Sequence, residues 1–173
     1  MQSGAPVKIL VLHGPNLNLF GRREPHIYGH TTLAQIDEQL AALAAELGVQ
    51  LETIQSNHEG VLVDFLHKHI DDAQGALVNP AGLTQHGVPL HDAIKAMPFP
   101  VIEVHMSNLA VREEWRHRSI ISPALKGTVL GLGWRSYTLA LRAMAEILAE
   151  ARDAKTASAQ AAAGTRTDDG DWS

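Results

Sequence analysis

Short apolar runs alternate with segments of helical period along this chain, and that alternation restricts the folds open to it. Val7-Lys8-Ile9-Leu10-Val11-Leu12, Gly75-Ala76-Leu77-Val78-Asn79, Val101-Ile102-Glu103-Val104-His105-Met106 and Gly127-Thr128-Val129-Leu130-Gly131 read as short strands. Val49-Gln50-Leu51-Glu52-Thr53-Ile54-Gln55 alternates apolar with polar, as a strand nearer a sheet edge would. Amphipathic helices separate them. Leu33, Ile36, Leu40, Leu43 and Leu47 follow Thr31-Thr32 at helical spacing, and Gly48 is placed to end that helix. Val61, Leu62, Phe65, Leu66 and Ile70 make a second helix. A third, shorter one runs from His91 to Met97, stopped by Pro98 and Pro100. The closing helix spans Arg135 to about Arg152, with Leu139, Leu141, Met144, Ile147 and Leu148 on its apolar side. Such alternation predicts a parallel sheet covered by helices on both faces.

Five strand–helix units in 173 residues suit a flavodoxin-like, doubly wound α/β domain with a five-stranded parallel sheet. An eight-fold barrel needs about 250 residues. The expected domain is residues 7–152, preceded by a short extension, 1–6. The segment 153–173, composed of Ala, Thr, Ser, Gly and Asp without a period, is expected to be a disordered tail.

Folds of this class bind ligands outside the carboxyl ends of their strands. Those ends carry Asn16, then Ser56-Asn57-His58, Asn79-Pro80-Ala81-Gly82, Glu103-Val104-His105-Met106-Ser107-Asn108 and Gly131-Leu132-Gly133. The first connection, 14–32, is far longer than the two to about six residues that joining a strand to a helix needs. It holds Arg22, Arg23 and Tyr28 among apolar Leu17, Leu19, Phe20 and Ile27, and reads as a functional lid.

Composition narrows the partners. A net charge of −5 argues against a nucleic acid held by electrostatics. Without cysteine there are no disulfides, thiolate zinc sites or cysteine nucleophiles, which fits a reducing cytoplasm. Residues 1–6 lack a basic stretch followed by an apolar run, so no secretory signal is expected. No apolar run approaches the roughly 20 residues of a membrane helix. The expectation is a soluble cytoplasmic protein with no membrane partner.

Glu103 and His105 lie two apart on a strand and share a face. A carboxylate beside an imidazole orients the ring and stabilises its cation, as a general acid requires. A metal-ligand pair or a satisfied core pair is the plainer reading, although no matching cluster of carboxylates or histidines accompanies it. Arg22, Arg23 and Tyr28 admit two readings: a phenol whose ionised form is favoured by a guanidinium, or arginines that bind phosphate or carboxylate. The segment from Arg112 to Ser119 adds cations. His67 and His69 diverge on a helix, while His26, His30, His58 and His117 read as surface residues. Nucleotide binding is disfavoured, because neither a Gly-x-Gly-x-x-Gly turn nor a Gly-Lys-Ser/Thr loop is present.

Five motifs resemble one family. His13-Gly14-Pro15-Asn16-Leu17-Asn18-Leu19, Gly21-Arg22-Arg23-Glu24-Pro25-x-x-Tyr28-Gly29, Asn79-Pro80-Ala81-Gly82, Ile102-Glu103-Val104-His105-Met106-Ser107-Asn108 and Arg112-Glu113-x-x-Arg116 are similar, in order and spacing, to type II 3-dehydroquinate dehydratase. The resemblance covers about residues 7–150. It implies a flavodoxin-like fold, and dehydration of 3-dehydroquinate to 3-dehydroshikimate, without metal or cofactor, in the shikimate pathway or in quinate breakdown. It implies a dodecamer of four trimers. Tyr28 would remove the C2 proton, with Arg23 holding it ionised. Asn16 would help bind the enolate, and His105, oriented by Glu103, would protonate the departing hydroxyl. Asn79, Met106, Ser107 and Arg116 would hold the substrate, and Asp92 would reach in from a neighbouring subunit. One departure stands out: Thr84-Gln85, followed by His86, replaces the family's Thr-His. Gln85 can bond a substrate but carries no charge. A Schiff-base route needs a desolvated lysine, and Lys8, Lys68, Lys95, Lys126 and Lys155 all fall outside the strand ends, which favours the enolate. The rival reading is a silent module that senses a small carboxylate; a base and an acid together argue against it.

Overall fold

A computed structural model describes residues 6–22, 27 and 29–164. Five strands, β1 (Val7–His13), β2 (Val49–Gln55), β3 (Gly75–Asn79), β4 (Val101–His105) and β5 (Gly127–Leu130), form one sheet in the order β2-β1-β3-β4-β5. All four pairings are parallel, Val7 opposite Val49 and His13 opposite Asn79, for example. The order reverses between β1 and β3, so the carboxyl ends of those strands flank the crevice where ligands sit in doubly wound sheets. β3 and β4 are buried along their whole length, whereas β2 is only partly covered, as expected of the edge strand its alternation suggests.

Helices cover both faces. α1 (Leu33–Leu47) and α4 (Arg135–Gly164) pack on one, burying Ile36, Leu40, Tyr137, Leu141 and Met144 against Ile9, Val11, Leu77 and Val104. α2 (Glu59–Lys68) and α3 (Val88–Ala96) cover the other, with Leu62, Leu66, Leu90 and Ile94 against Leu10, Leu12, Ala76 and Val78. α1 has the ends its sequence announces. Thr32 Oγ1 accepts from the Gln35 backbone N–H while Gln35 Oε1 accepts from that of Thr32, and Gly48 closes the helix at φ 68°.

Several boundaries differ from the reading above. α3 begins at Val88 rather than His91, because Pro89 sits in the first turn, where its missing N–H costs nothing. Ile70 and Leu139 are exposed instead of facing the core; Leu139 is about 200° around the helix from the buried Leu141. The tail is the largest correction. α4 continues to Gly164, so residues 153–164 are helical rather than disordered. Loss of apolar period was the argument for disorder, but Ala157, Ala159 and Ala161 favour helix by intrinsic propensity, with no buried face required. Residues 165–173 lie outside the described part.

Candidate active site

The crevice is built first from backbone. Gly14 leaves β1 pressed against the loop after β3: its N–H donates to the Asn79 carbonyl at 2.8 Å, and a Cβ there would sit 2.6 Å from the Pro80 oxygen. Asn16 then turns the chain through φ 67°, a left-handed conformation that asparagine tolerates better than most residues. Its N–H donates to Asn57 Oδ1 at 2.8 Å, so the end of β2 braces this loop. Leu17 and Phe20 are buried, and they pin the first half of the long connection into the core. The loop's beginning is therefore anchored. Arg23 and Tyr28, on which the lid reading depends, lie outside the described residues.

A cavity of about 220 Å³ opens here. Asn16, Asn79, Gln85, His105, Met106, Ser107 and Arg116 line it, seven of the residues the sequence pointed to. His86 joins them. A wider hollow of about 700 Å³ adjoins it through Met106, Ser107 and Arg112. Ile27, Gly29 and Thr31, from the far half of the long loop, wall that hollow. Asp92 is elsewhere. It stands on α3 with its side chain largely exposed, 3.0 Å from Nδ1 of its neighbour His91, and lines neither space.

Glu103 lies behind His105. Its Oε1 is 2.8 Å from His105 Nε2 and accepts from Thr84 Oγ1 at 3.2 Å; Oε2 accepts from Ser122 Oγ at 3.3 Å and Ser119 Oγ at 3.5 Å. Every partner is a donor, the set that suits an acceptor-only carboxylate. The carboxylate is fully buried, so the ring it holds has one orientation. Nε2 is taken by Glu103, and Nδ1 has no partner among the described residues. A buried carboxylate, an oriented imidazole and a free ring nitrogen at a cavity wall can deliver a proton to a leaving oxygen.

Cations fill one end. Arg112 and Arg116 both line the cavity, and Glu113 Oε2 accepts from Nε of each, at 3.2 and 2.9 Å. Glu113's own backbone N–H, and then the two guanidiniums against a desolvation effect, holds its carboxyl below the ordinary value. Arg116 also lies over the Trp115 ring, 4.0 Å from its centroid. The pair can receive a substrate carboxylate. Among the described residues no lysine lines the cavity, and Lys8 is engaged with Asp72 and Glu52 at the opposite end of β1. No group of three or more His, Cys, Asp or Glu that could hold a metal exists among the described residues.

Sequence reasoning missed several members. Arg112 was legible as one cation of a charged segment and as the first residue of the Arg112-Glu113-x-x-Arg116 motif, but without a role in the site. Ser119 and Ser122 come to Glu103 from one segment and carried no signal, and Thr84 was marked only as the neighbour of Gln85. Tyr137 and the part-exposed Asp37 also carried no signal; with His13, legible only as the first residue of its motif, they stand beside Asn79. His69, set aside as a diverging helix residue, is buried between Glu52 and Asp72; His30, His58 and His117 are exposed as expected.

The geometry has counterparts in known proteins. Residues 7–145 match the family model described as dehydroquinase class II. The chain is 53% identical over 135 residues to the 3-dehydroquinate dehydratase of Roseiflexus castenholzii, covering 78% of this chain and 86% of that one. Solved structures agree: the type II dehydroquinase from Butyrivibrio crossotus superposes with a TM-score of 0.80 at 34% identity, over 82% of this chain and 99% of that one. The type II dehydroquinase from Propionibacterium acnes gives 0.78 at 42% identity, over 80% and 96%. With four-fifths of its length matched in sequence and in fold, this chain belongs to the class II dehydroquinase family.

Proposed function

We propose that this chain dehydrates 3-dehydroquinate to 3-dehydroshikimate by anti elimination through an enolate, serving the shikimate pathway or quinate breakdown. The observation that carries the reading is His105, whose Nε2 is held by buried Glu103 while Nδ1 is left for the cavity that also holds Asn16 and two arginines. Tyr28 takes the proton from C2, with Arg23 keeping the phenol ionised. Asn16 binds the enolate oxygen. Collapse of the enolate expels the hydroxyl, which takes its proton from His105 and leaves as water. Arg112 and Arg116 hold the carboxylate, and Asn79, Gln85, Met106 and Ser107 hold the ring. The electrons stay within the substrate, so the reaction consumes no co-reactant.

Residues 7–152 form the single catalytic domain, which works in the cytoplasm as a homo-oligomer, a dodecamer of four trimers. What supports the assembly is Asp92, which is exposed and does not line the cavity of its own chain. No helix among the described residues is long and apolar enough to cross a membrane. The test is the ultraviolet absorbance of the conjugated enone after adding 3-dehydroquinate. Wild-type protein should give a steady rise, and His105→Ala should lose about 10²–10⁴-fold in kcat. No rise with wild type, or a His105→Ala protein of near-normal rate, would sink the reading.

A further inference from the structure

Behind the cavity wall a row of four polar side chains runs from the surface of α1 to Asn79. Asp37 Oδ1 lies 3.0 Å from His13 Nε2, and His13 Nδ1 lies 3.2 Å from the Tyr137 hydroxyl. Asn79 Nδ2 donates to that hydroxyl at 2.8 Å. His13 and Tyr137 are fully buried, Asn79 nearly so, and the Asp37 side chain is 37% exposed.

Donor and acceptor counting leaves one arrangement. The Asn79 nitrogen can only donate, so the Tyr137 oxygen accepts from it and must send its own hydrogen elsewhere. Burial raises the phenol's pKa far above the ordinary value, against a smaller lowering by Asn79, so the hydroxyl keeps that hydrogen. The acceptor within reach is His13 Nδ1, which places the ring hydrogen on Nε2, directed at Asp37. At the other end, Asn79 Oδ1 accepts from the Ala81 N–H at 3.2 Å. The amide is thus held at both atoms and cannot turn over. Its second N–H has no acceptor among the described residues, and Asn79 lines the cavity.

We propose that Asp37, His13 and Tyr137 are positioning residues that hold the Asn79 amide so that an N–H, never its carbonyl, meets the substrate. The row sets affinity for a substrate oxygen from outside the cavity. It reaches the reaction only through Asn79, and it rests on the reading of Asn79 as a substrate-binding residue.

Asp37 does not line the cavity, and its side chain is at the surface, so the row can be broken there without opening the core. Asp37→Ala should raise KM for 3-dehydroquinate about 3–10-fold with kcat within about twofold of wild type. Asp37→Asn keeps a carbonyl that can accept from His13, and should hold KM within about twofold. Tyr137→Phe, which removes only the hydroxyl, should raise KM about 5–30-fold. In an Asn79→Ala background the same change should add less than about twofold, because its target is gone. A network that merely buttresses the fold would lower Tm and leave KM alone; wild-type KM in both Asp37→Ala and Tyr137→Phe would overturn the proposal. So would KM effects of Tyr137→Phe and Asn79→Ala that multiply independently. If Asn79→Ala does not fold, the two Asp37 variants decide alone. A wild-type protein without turnover defeats the functional reading and this inference with it, whereas an active one with a flat KM series defeats only the inference.

Discussion

Gln85 stands where the family pattern has histidine, and its surroundings say what an amide does there. Nε2 donates to the Arg116 carbonyl at 3.2 Å, while Oε1 is buried with no partner among the described residues. A buried acceptor left unpaired costs about 1–3 kcal/mol, which a substrate hydroxyl in the cavity would relieve. Gln85→Ala should therefore raise KM about 5–30-fold with little change in kcat. Gln85→His should keep activity, since a neutral imidazole also offers one donor and one acceptor. Steady-state kinetics on both variants checks this, and a large kcat loss in Gln85→His would show a site rebuilt around the amide. Glu103 and His105 were legible from sequence because period two alone puts them on one face. His13 and Tyr137 were not, since 124 residues separate them and their contact depends on how α4 crosses the sheet. Local period carries no such information.

At the scale of elements, the start of α1 is also the root of the loop that carries Arg23 and Tyr28. Gly21, at φ 84°, lies so near this root that a Cβ would sit 2.9 Å from the Thr32 side chain and from the His30 carbonyl. The loop leaves and returns at one place, which the capping box at Thr32 fixes. Removing that cap should cost about 1 kcal/mol, a drop in Tm of roughly 2–4 °C for a domain of this size. Thr32→Ala measured by thermal denaturation tests it, and Thr32→Ser should restore most of the loss; an unchanged Tm in Thr32→Ala would mean the box contributes nothing. Helix ends such as Thr32 and Gly48 are readable because capping chemistry is local. The continuation of α4 through residues 153–164 is the opposite case. Those residues are exposed wherever burial is described, so the apolar period that marks other helices has nothing to record.

For the whole molecule, alternation of strand and helix was enough to give a parallel sheet, and the weaker burial of β2 agrees with its polar alternation. The proposed assembly has a fainter trace. Val88, Val111, Trp115, Leu130 and Leu132 are exposed, and β5 is a largely uncovered edge. A single chain with such surfaces has reason to associate. Asp92 gives the idea a chemical test. If its carboxylate completes a neighbour's site, Asp92→Ala and His105→Ala each disable a different half of every site. Asp92→Ala alone should lose about tenfold or more in kcat/KM, as expected when a charged hydrogen-bond partner is removed. In mixed trimers, a chain with intact His105 can then sit beside one with intact Asp92. Equal random mixing in a cyclic assembly regenerates such sites in about a quarter of positions. Co-expressed variants should accordingly recover roughly a quarter of wild-type turnover per site, well above the sum of the two parents, in particles whose mass by light scattering is a multiple of three chains. Mixed particles no more active than their parents would place Asp92 outside any neighbour's chemistry.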